Sequence, residues 1–83
     1  MRIEVSADGR VFQGTPKQIV MQMKSISPGL AHLSLGEYIE RNVASIARAF
    51  GVDLTVVGET DDERATSFIE QMIEGGYARR LAG

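Results

Sequence analysis

The chain has 83 residues, with no cysteine, no tryptophan and a single histidine, and its nine basic and eleven acidic side chains leave a formal charge of −2. Without cysteine there is neither a disulfide framework nor a thiolate metal site, and His32 alone cannot assemble an imidazole zinc site. No apolar run approaches the roughly 18 residues of a membrane span, and Arg2 and Glu4 interrupt any leader-like stretch, so the sequence predicts one compact cytoplasmic domain over 1–83, with no membrane contact.

The first predicted element is a hairpin. Ile3-Glu4-Val5-Ser6-Ala7 and Arg10-Val11-Phe12-Gln13 alternate in polarity on either side of Asp8-Gly9, a dipeptide suited to a two-residue type I′ turn. That turn would set Ala7 opposite Arg10, Val5 opposite Phe12 and Ile3 opposite Gly14. Ile3, Val5 and Phe12 then share the core face, and Val11 lies on the other.

Three helices follow, each announced by a hydroxyl residue with Glu or Gln three positions later: Thr15…Gln18, Ser34…Glu37 and Thr60…Glu63. These are capping boxes, in which the hydroxyl accepts an orphan N–H of the first turn and the carboxylate or amide reaches back to the cap. In the first helix Pro16 stands where its missing N–H costs nothing, and Ile19, Val20, Met23 and Ile26 form the apolar stripe. Pro28-Gly29 breaks the chain, and Leu33 is placed to staple against Tyr38. The second helix spans 34–50, with Leu35, Ile39, Val43, Ile46 and Phe50 on one face and Glu37 and Arg41 paired on the other, and Gly51 ends it as a left-handed cap.

Val52 to Val57 reads as a third strand, with Leu54 and Val56 on one face and Thr55 and Val57 on the other. Thr60 opens the last helix, where Ala65, Phe68, Ile69, Met72 and Ile73 share a face and Gly75-Gly76 closes it. The predicted class is therefore α+β in the order ββααβα, a three-stranded sheet of hairpin plus one later strand packed against three helices. Tyr77 to Leu81 is expected to dock rather than to trail, with Tyr77 and Leu81 inward and Arg79 and Arg80 outward.

Nothing in the pattern supplies a catalytic set. No cysteine exists, no serine sits in a nucleophile elbow, and His32 lies in a predicted loop without a partner, so a non-enzymatic protein without cofactor or metal is expected. Glu59-Thr60-Asp61-Asp62-Glu63 lacks the alternate spacing and central glycine of a calcium loop and is explained by capping and by the helix dipole. Gly14-Thr15-Pro16-Lys17 is too short to wrap a phosphate, and Pro16 removes one donor.

Charge is segregated along the chain: residues 1–50 carry +2, residues 51–75 carry −6 and residues 76–83 carry +2. Opposed signs on different elements can steer two copies, or another protein, into register. On the first helix Lys17, Met21 and Lys24 lie opposite the apolar stripe, which exposes Met21 between two cations, and Asn42 sits at the edge of the apolar arc of the second helix. Together with Tyr77, Arg79 and Arg80 these are the candidate interaction residues. A chain this short has only roughly 3–5 kcal/mol from one core, and with staples absent self-association is the remaining support. The expected function is a small non-enzymatic protein–protein interaction module acting as a homodimer.

Phe68-Ile69-Glu70-Gln71-Met72-Ile73-Glu74-Gly75-Gly76-Tyr77-Ala78-Arg79-Arg80-Leu81 resembles the end of a winged helix-turn-helix domain, where a helix closes at glycine and a basic segment leads into the wing. The resemblance implies the alternative function, a nucleic-acid-associated regulator using Arg79, Arg80, Lys17 and Lys24. It competes with the acidity of the same helix, in which Glu63, Glu70 and Glu74 face only Arg64, because phosphate contacts by Lys and Arg supply most of such affinity.

Overall fold

The computed structural model describes residues 1–82, and its elements run β1 (Arg2–Val5), β2 (Val11–Gln13), α1 (Pro16–Ser25), α2 (Leu35–Phe50), α3 (Asp61–Glu74) and β3 (Ala78–Arg80). The class is α+β as expected, with three helices and one antiparallel sheet in the order β2-β1-β3. The observed sequence of elements is ββαααβ. The third strand is Ala78–Arg80, after the last helix, and not the predicted 52–57, which lies outside the sheet.

All three capping boxes form. Thr15, Ser34 and Thr60 each accept the backbone N–H of the third helical residue, and Gln18, Glu37 and Glu63 each return a bond to the cap. These bonds satisfy helix-end donors that no other group among the described residues reaches, and they explain why each helix starts where the sequence says. Gly51 ends α2 at φ +68°, the left-handed conformation that a side chain would strain.

The hairpin keeps its predicted faces but not its predicted register. Ile3 stands opposite Phe12 and Glu4 opposite Val11, with a loop of Ser6 to Gly9 in which Gly9 N–H bonds the Val5 carbonyl at 2.9 Å. Ser6 leaves β2 because it is engaged elsewhere: its N–H donates to the Tyr77 carbonyl at 3.0 Å and its hydroxyl to that of Gly76 at 2.8 Å. The slip is two residues, so the side-chain period of two leaves Ile3, Val5 and Phe12 on the core face.

On its other edge β1 meets β3, with Val5 opposite Ala78, Glu4 opposite Arg79 and Ile3 opposite Arg80. Tyr77 to Leu81 is therefore docked, as a strand rather than as a helical turn. The core lies between one sheet face and the helices: Ile3, Phe12, Ile19, Val20, Met23, Phe68, Ile69, Met72 and Ala78 are buried, joined by Leu35, Tyr38 and Ile39 of α2. Helix α1 packs on β2 and α3 on β3, whereas α2 packs on α1 and α3. Two predicted core positions are instead exposed. Ile26 follows the last turn of α1 as its C-cap, and Phe50 lies on the C-terminal half of α2, where the buried positions Leu35, Tyr38 and Ile39 have run out.

Candidate interaction site

Between α2 and α3 the chain from Val52 to Gly58 runs along α3 as a seventh, irregular segment, and the bonds that hold it there follow a rule. Thr55 N–H donates to Oε1 of Gln71 at 2.8 Å, Val57 N–H to Oγ of Ser67 at 3.1 Å and Glu59 N–H to Oε1 of Glu63 at 3.3 Å. Each step of two along the segment is a step of four back along the helix. Two residues of extended chain advance about 6.7 Å and four helical residues about 6 Å, so the two repeats stay in phase over three rungs. The Gln71 amide also donates to the Thr55 carbonyl and to Ser67 Oγ, the latter at 3.0 Å. Side chains of α3 thus do for the N–H groups of Thr55, Val57 and Glu59 what a neighbouring strand would do.

This is why the β-like sequence at 52–57 is not a strand of the sheet. Part of its backbone is satisfied by a helix, and the place beside β1 is filled by Ala78–Arg80. At Gly58 the segment approaches α3 so closely that a Cβ would sit 2.6 Å from Cβ of Glu63 and 2.9 Å from the Arg64 nitrogen, at φ +134°. The Gly58 carbonyl in turn accepts from Nε of Arg64 at 3.1 Å.

The opposite edge has no such partner. Among the described residues no backbone or side-chain group bonds the N–H or C=O of Leu54 or Val56. In extended chain these groups point away from the edge occupied by α3. Beside this segment lies a groove of about 670 Å³ between α2 and 53–58, whose lining includes Ile39, Val43, Ala44 and Ala47 of α2, with Leu54 and Val56 opposite. Glu40, Asp53 and Arg64 supply its charges. At the margins the apolar side chains of Phe50, Val52 and Val57 remain 65, 40 and 62% exposed.

The residues singled out from sequence are distributed elsewhere. Lys17 and Met21 lie on α1, Met21 exposed, and the Lys24 ammonium is committed to the Ala31 carbonyl of the following loop. Asn42 is half-buried and donates to the Tyr38 carbonyl one turn back at 2.9 Å, so its amide is served within α2. Tyr77 is half-buried, with its ring centroid 5.3 Å from that of Phe50. Arg79 meets Glu4 at 2.6 Å, and Arg80 is exposed on β3. Since β3 and β2 are opposite edges of the sheet and α1 packs on β2, the structure does not gather these residues into one surface. What the site reading from sequence missed is the edge at Leu54 and Val56. Its signal was present in the strand-like alternation of 52–57, read there as sheet.

Two carboxylates are tuned by the caps. Glu37 is held below the ordinary 4.5 by bonds from the Ser34 N–H and then the Ser34 hydroxyl. Glu63 is held below it by the Thr60 hydroxyl first, then by the N–H groups of Thr60 and Glu59. Glu63 is therefore spent on its own helix start rather than offered to a cation. The sequence matches no protein-family model and no curated protein, and no solved structure matches the chain.

Proposed function

We propose that this chain is a non-enzymatic protein–protein interaction module that works as a homodimer in the cytoplasm. One observation carries the reading: an extended segment with β-forming sequence has one edge held by a helix and the other edge unpaired, flanked by exposed Phe50, Val52 and Val57. Unpaired edges recruit further chain, and proteins that keep them monomeric usually blunt them with lysine, proline or a bulge. Residues 52–57 carry no lysine and no proline. Exposed apolar side chains beside such an edge add the area that backbone bonds alone do not supply.

Among the described residues no helix is long and apolar enough to cross a membrane. The regulator reading has less support, because Arg79 is engaged by Glu4, Lys24 by a loop carbonyl, and α3 opens on Asp61, Asp62 and Glu63. Light scattering over a concentration series tests the proposal. The mass should rise from that of one chain, 9.0 kDa, toward twice that value as concentration increases. A mass of one chain throughout, up to roughly millimolar protein, overturns it, since weaker association has no consequence at cellular concentration.

A further inference from the structure

We infer that one end of the groove between α2 and residues 53–58 binds a free α-amino acid with a large apolar side chain, its carboxylate on Arg64 and its ammonium on Glu40. The inference is separate from the homodimer reading and does not depend on it.

The two ends of the groove differ. Helix α2 and the segment after it run in opposite directions from Gly51, so Gly36 and Gly58 line one end and Ala47 and Asp53 the other. Arg64, in the first turn of α3, closes the end at Gly36 and Gly58. Its Nε donates to the Gly58 carbonyl at 3.1 Å, and Nη1 lies 3.5 Å from where a side chain on Gly36 would begin. The guanidinium is thus placed through Nε, which leaves its terminal N–H groups for a carboxylate. Glu40 stands one turn beyond Gly36 on the groove side of α2, and residues so spaced have Cβ atoms about 5–6 Å apart. Neither of the two ion pairs among the described residues includes Arg64 or Glu40. A cation and an anion therefore flank one end of an apolar groove without meeting each other.

Opposite charges held apart select what fits between them. A zwitterion answers both, with its ammonium on the Glu40 carboxylate and its carboxylate on the Arg64 Nη atoms, and such charge-assisted bonds are the strong ones. A simple anion would answer Arg64 alone and meet the negative charge of Glu40 and Asp53 in the same groove. A simple cation would leave Arg64 unanswered. In an α-amino acid both charges branch from one carbon, and the side chain leaves in a third direction, here between Ile39 and Val43 on α2 and Leu54 and Val56 opposite. The space of about 670 Å³ falls within the roughly 300–1,000 Å³ of small-ligand clefts and favours a side chain the size of phenylalanine or leucine over a small one. Burial of that side chain supplies affinity that two solvent-exposed ion pairs would not give alone.

The test is a titration with L-phenylalanine followed in the amide NMR spectrum, at a protein concentration where light scattering gives one chain. Saturable shifts are expected at Gly36, Leu54, Val56 and Gly58, with a dissociation constant below roughly 1 mM. N-acetyl-L-phenylalanine, which lacks the ammonium, and L-phenylalaninamide, which lacks the carboxylate, should each bind roughly tenfold more weakly or worse. Two variants assign the charges. Glu40→Gln should weaken phenylalanine by a similar factor and leave N-acetylphenylalanine unchanged, whereas Arg64→Gln should weaken phenylalanine and leave phenylalaninamide unchanged. Ala47→Leu, which fills the far end from a helical position, should weaken phenylalanine more than alanine.

No saturable shift up to roughly 10 mM phenylalanine overturns the inference. So does octanoate binding as tightly as phenylalanine, or a Glu40→Gln chain that treats phenylalanine and its N-acetyl derivative as the parent does, since either result describes an apolar groove without a zwitterion site. Arg64→Gln also removes the bond to Gly58; if that loosens the segment, Glu40→Gln still decides, because Glu40 enters no ion pair within the chain.

Discussion

Glu4 and Arg79 lie 75 residues apart in the chain and meet across the β1–β3 pair, Nε to Oε1 at 2.6 Å, on the sheet face that no helix covers. The contact marks where the last strand returns to the first, but its charge is not what secures that return. Arg79 is 70% exposed, and surface ion pairs contribute about 0–1 kcal/mol. Arg79→Ala should therefore cost under about 1 kcal/mol in a denaturant melt. Deleting residues 77–83 removes Ala78, 2% exposed beside Val5, together with the bond from the Ser6 N–H to the Tyr77 carbonyl and that from the Leu81 N–H to the Arg2 carbonyl. It exposes an edge of the central strand, and most of the roughly 3–5 kcal/mol that one core of this size supplies should be lost. A truncated chain with an unchanged unfolding midpoint would contradict the central position of β1.

The start of α2 depends on Ser34, whose hydroxyl accepts the Glu37 N–H at 3.2 Å. Ser34→Ala should destabilise by about 1 kcal/mol, and Ser34→Asp, which can keep the cap, by much less. Equal losses in the two variants would mean that the hydroxyl contributes nothing as a cap.

Acid should act on two of the three boxes only. Because Glu37 and Glu63 have folded values below the ordinary 4.5, their stabilisation is complete above the unfolded value and is lost as pH falls through the folded one. The first helix uses Gln18, which does not titrate. A chain carrying both Glu37→Gln and Glu63→Gln keeps the reach-back geometry and should show a flatter loss of melting temperature below about pH 4.5 than the parent. Identical acid limbs would assign the pH dependence to other carboxylates.

The rungs between α3 and the segment at 52–58 give a local prediction. Gln71→Ala strips Thr55 of partners for both its N–H and its carbonyl, at a cost of about 1–2 kcal/mol. Amide exchange at Thr55 should accelerate far more than at Ile19 or Phe68 in the core. Gly58→Ala should do the same at Val57, since its Cβ collides with Glu63. Uniform acceleration across the chain would show that the segment is not separately secured.

Nucleic acid should not bind tightly. A mixed DNA pool at about 150 mM salt is expected to give no sub-micromolar complex, because the net charge is −2 and α3 opens on three acids. A complex that weakened in Arg79→Ala with Arg80→Ala would revive the regulator reading.

Helix boundaries were legible in the sequence because their causes are local. A cap acts over three or four residues, as at Thr15, Ser34 and Thr60, and the left-handed stop at Gly51 needs only the residue itself. The faces of the hairpin were legible for a similar reason, since alternation survives a slip of two. The slip itself was not. The choice between Asp8-Gly9 alone and Ser6 to Gly9 as the loop turned on Ser6 bonding Tyr77 and Gly76, some seventy residues away.

The third strand was decided the same way. By propensity Val52–Val57 suits the edge of β1 better than Ala78-Arg79-Arg80 does, yet the latter occupies it. Gly76 at φ +79° turns the chain straight back from α3, while Gln71, Ser67 and Glu63 occupy the N–H groups of Thr55, Val57 and Glu59 along the competing segment. Propensity ranks segments one at a time, whereas an edge admits one neighbour, so the winner depends on what every other segment has been offered. The sequence alone determined which pieces could be helix, strand or turn; only the tertiary structure decided which β-like piece joined the sheet and which was left with a free edge.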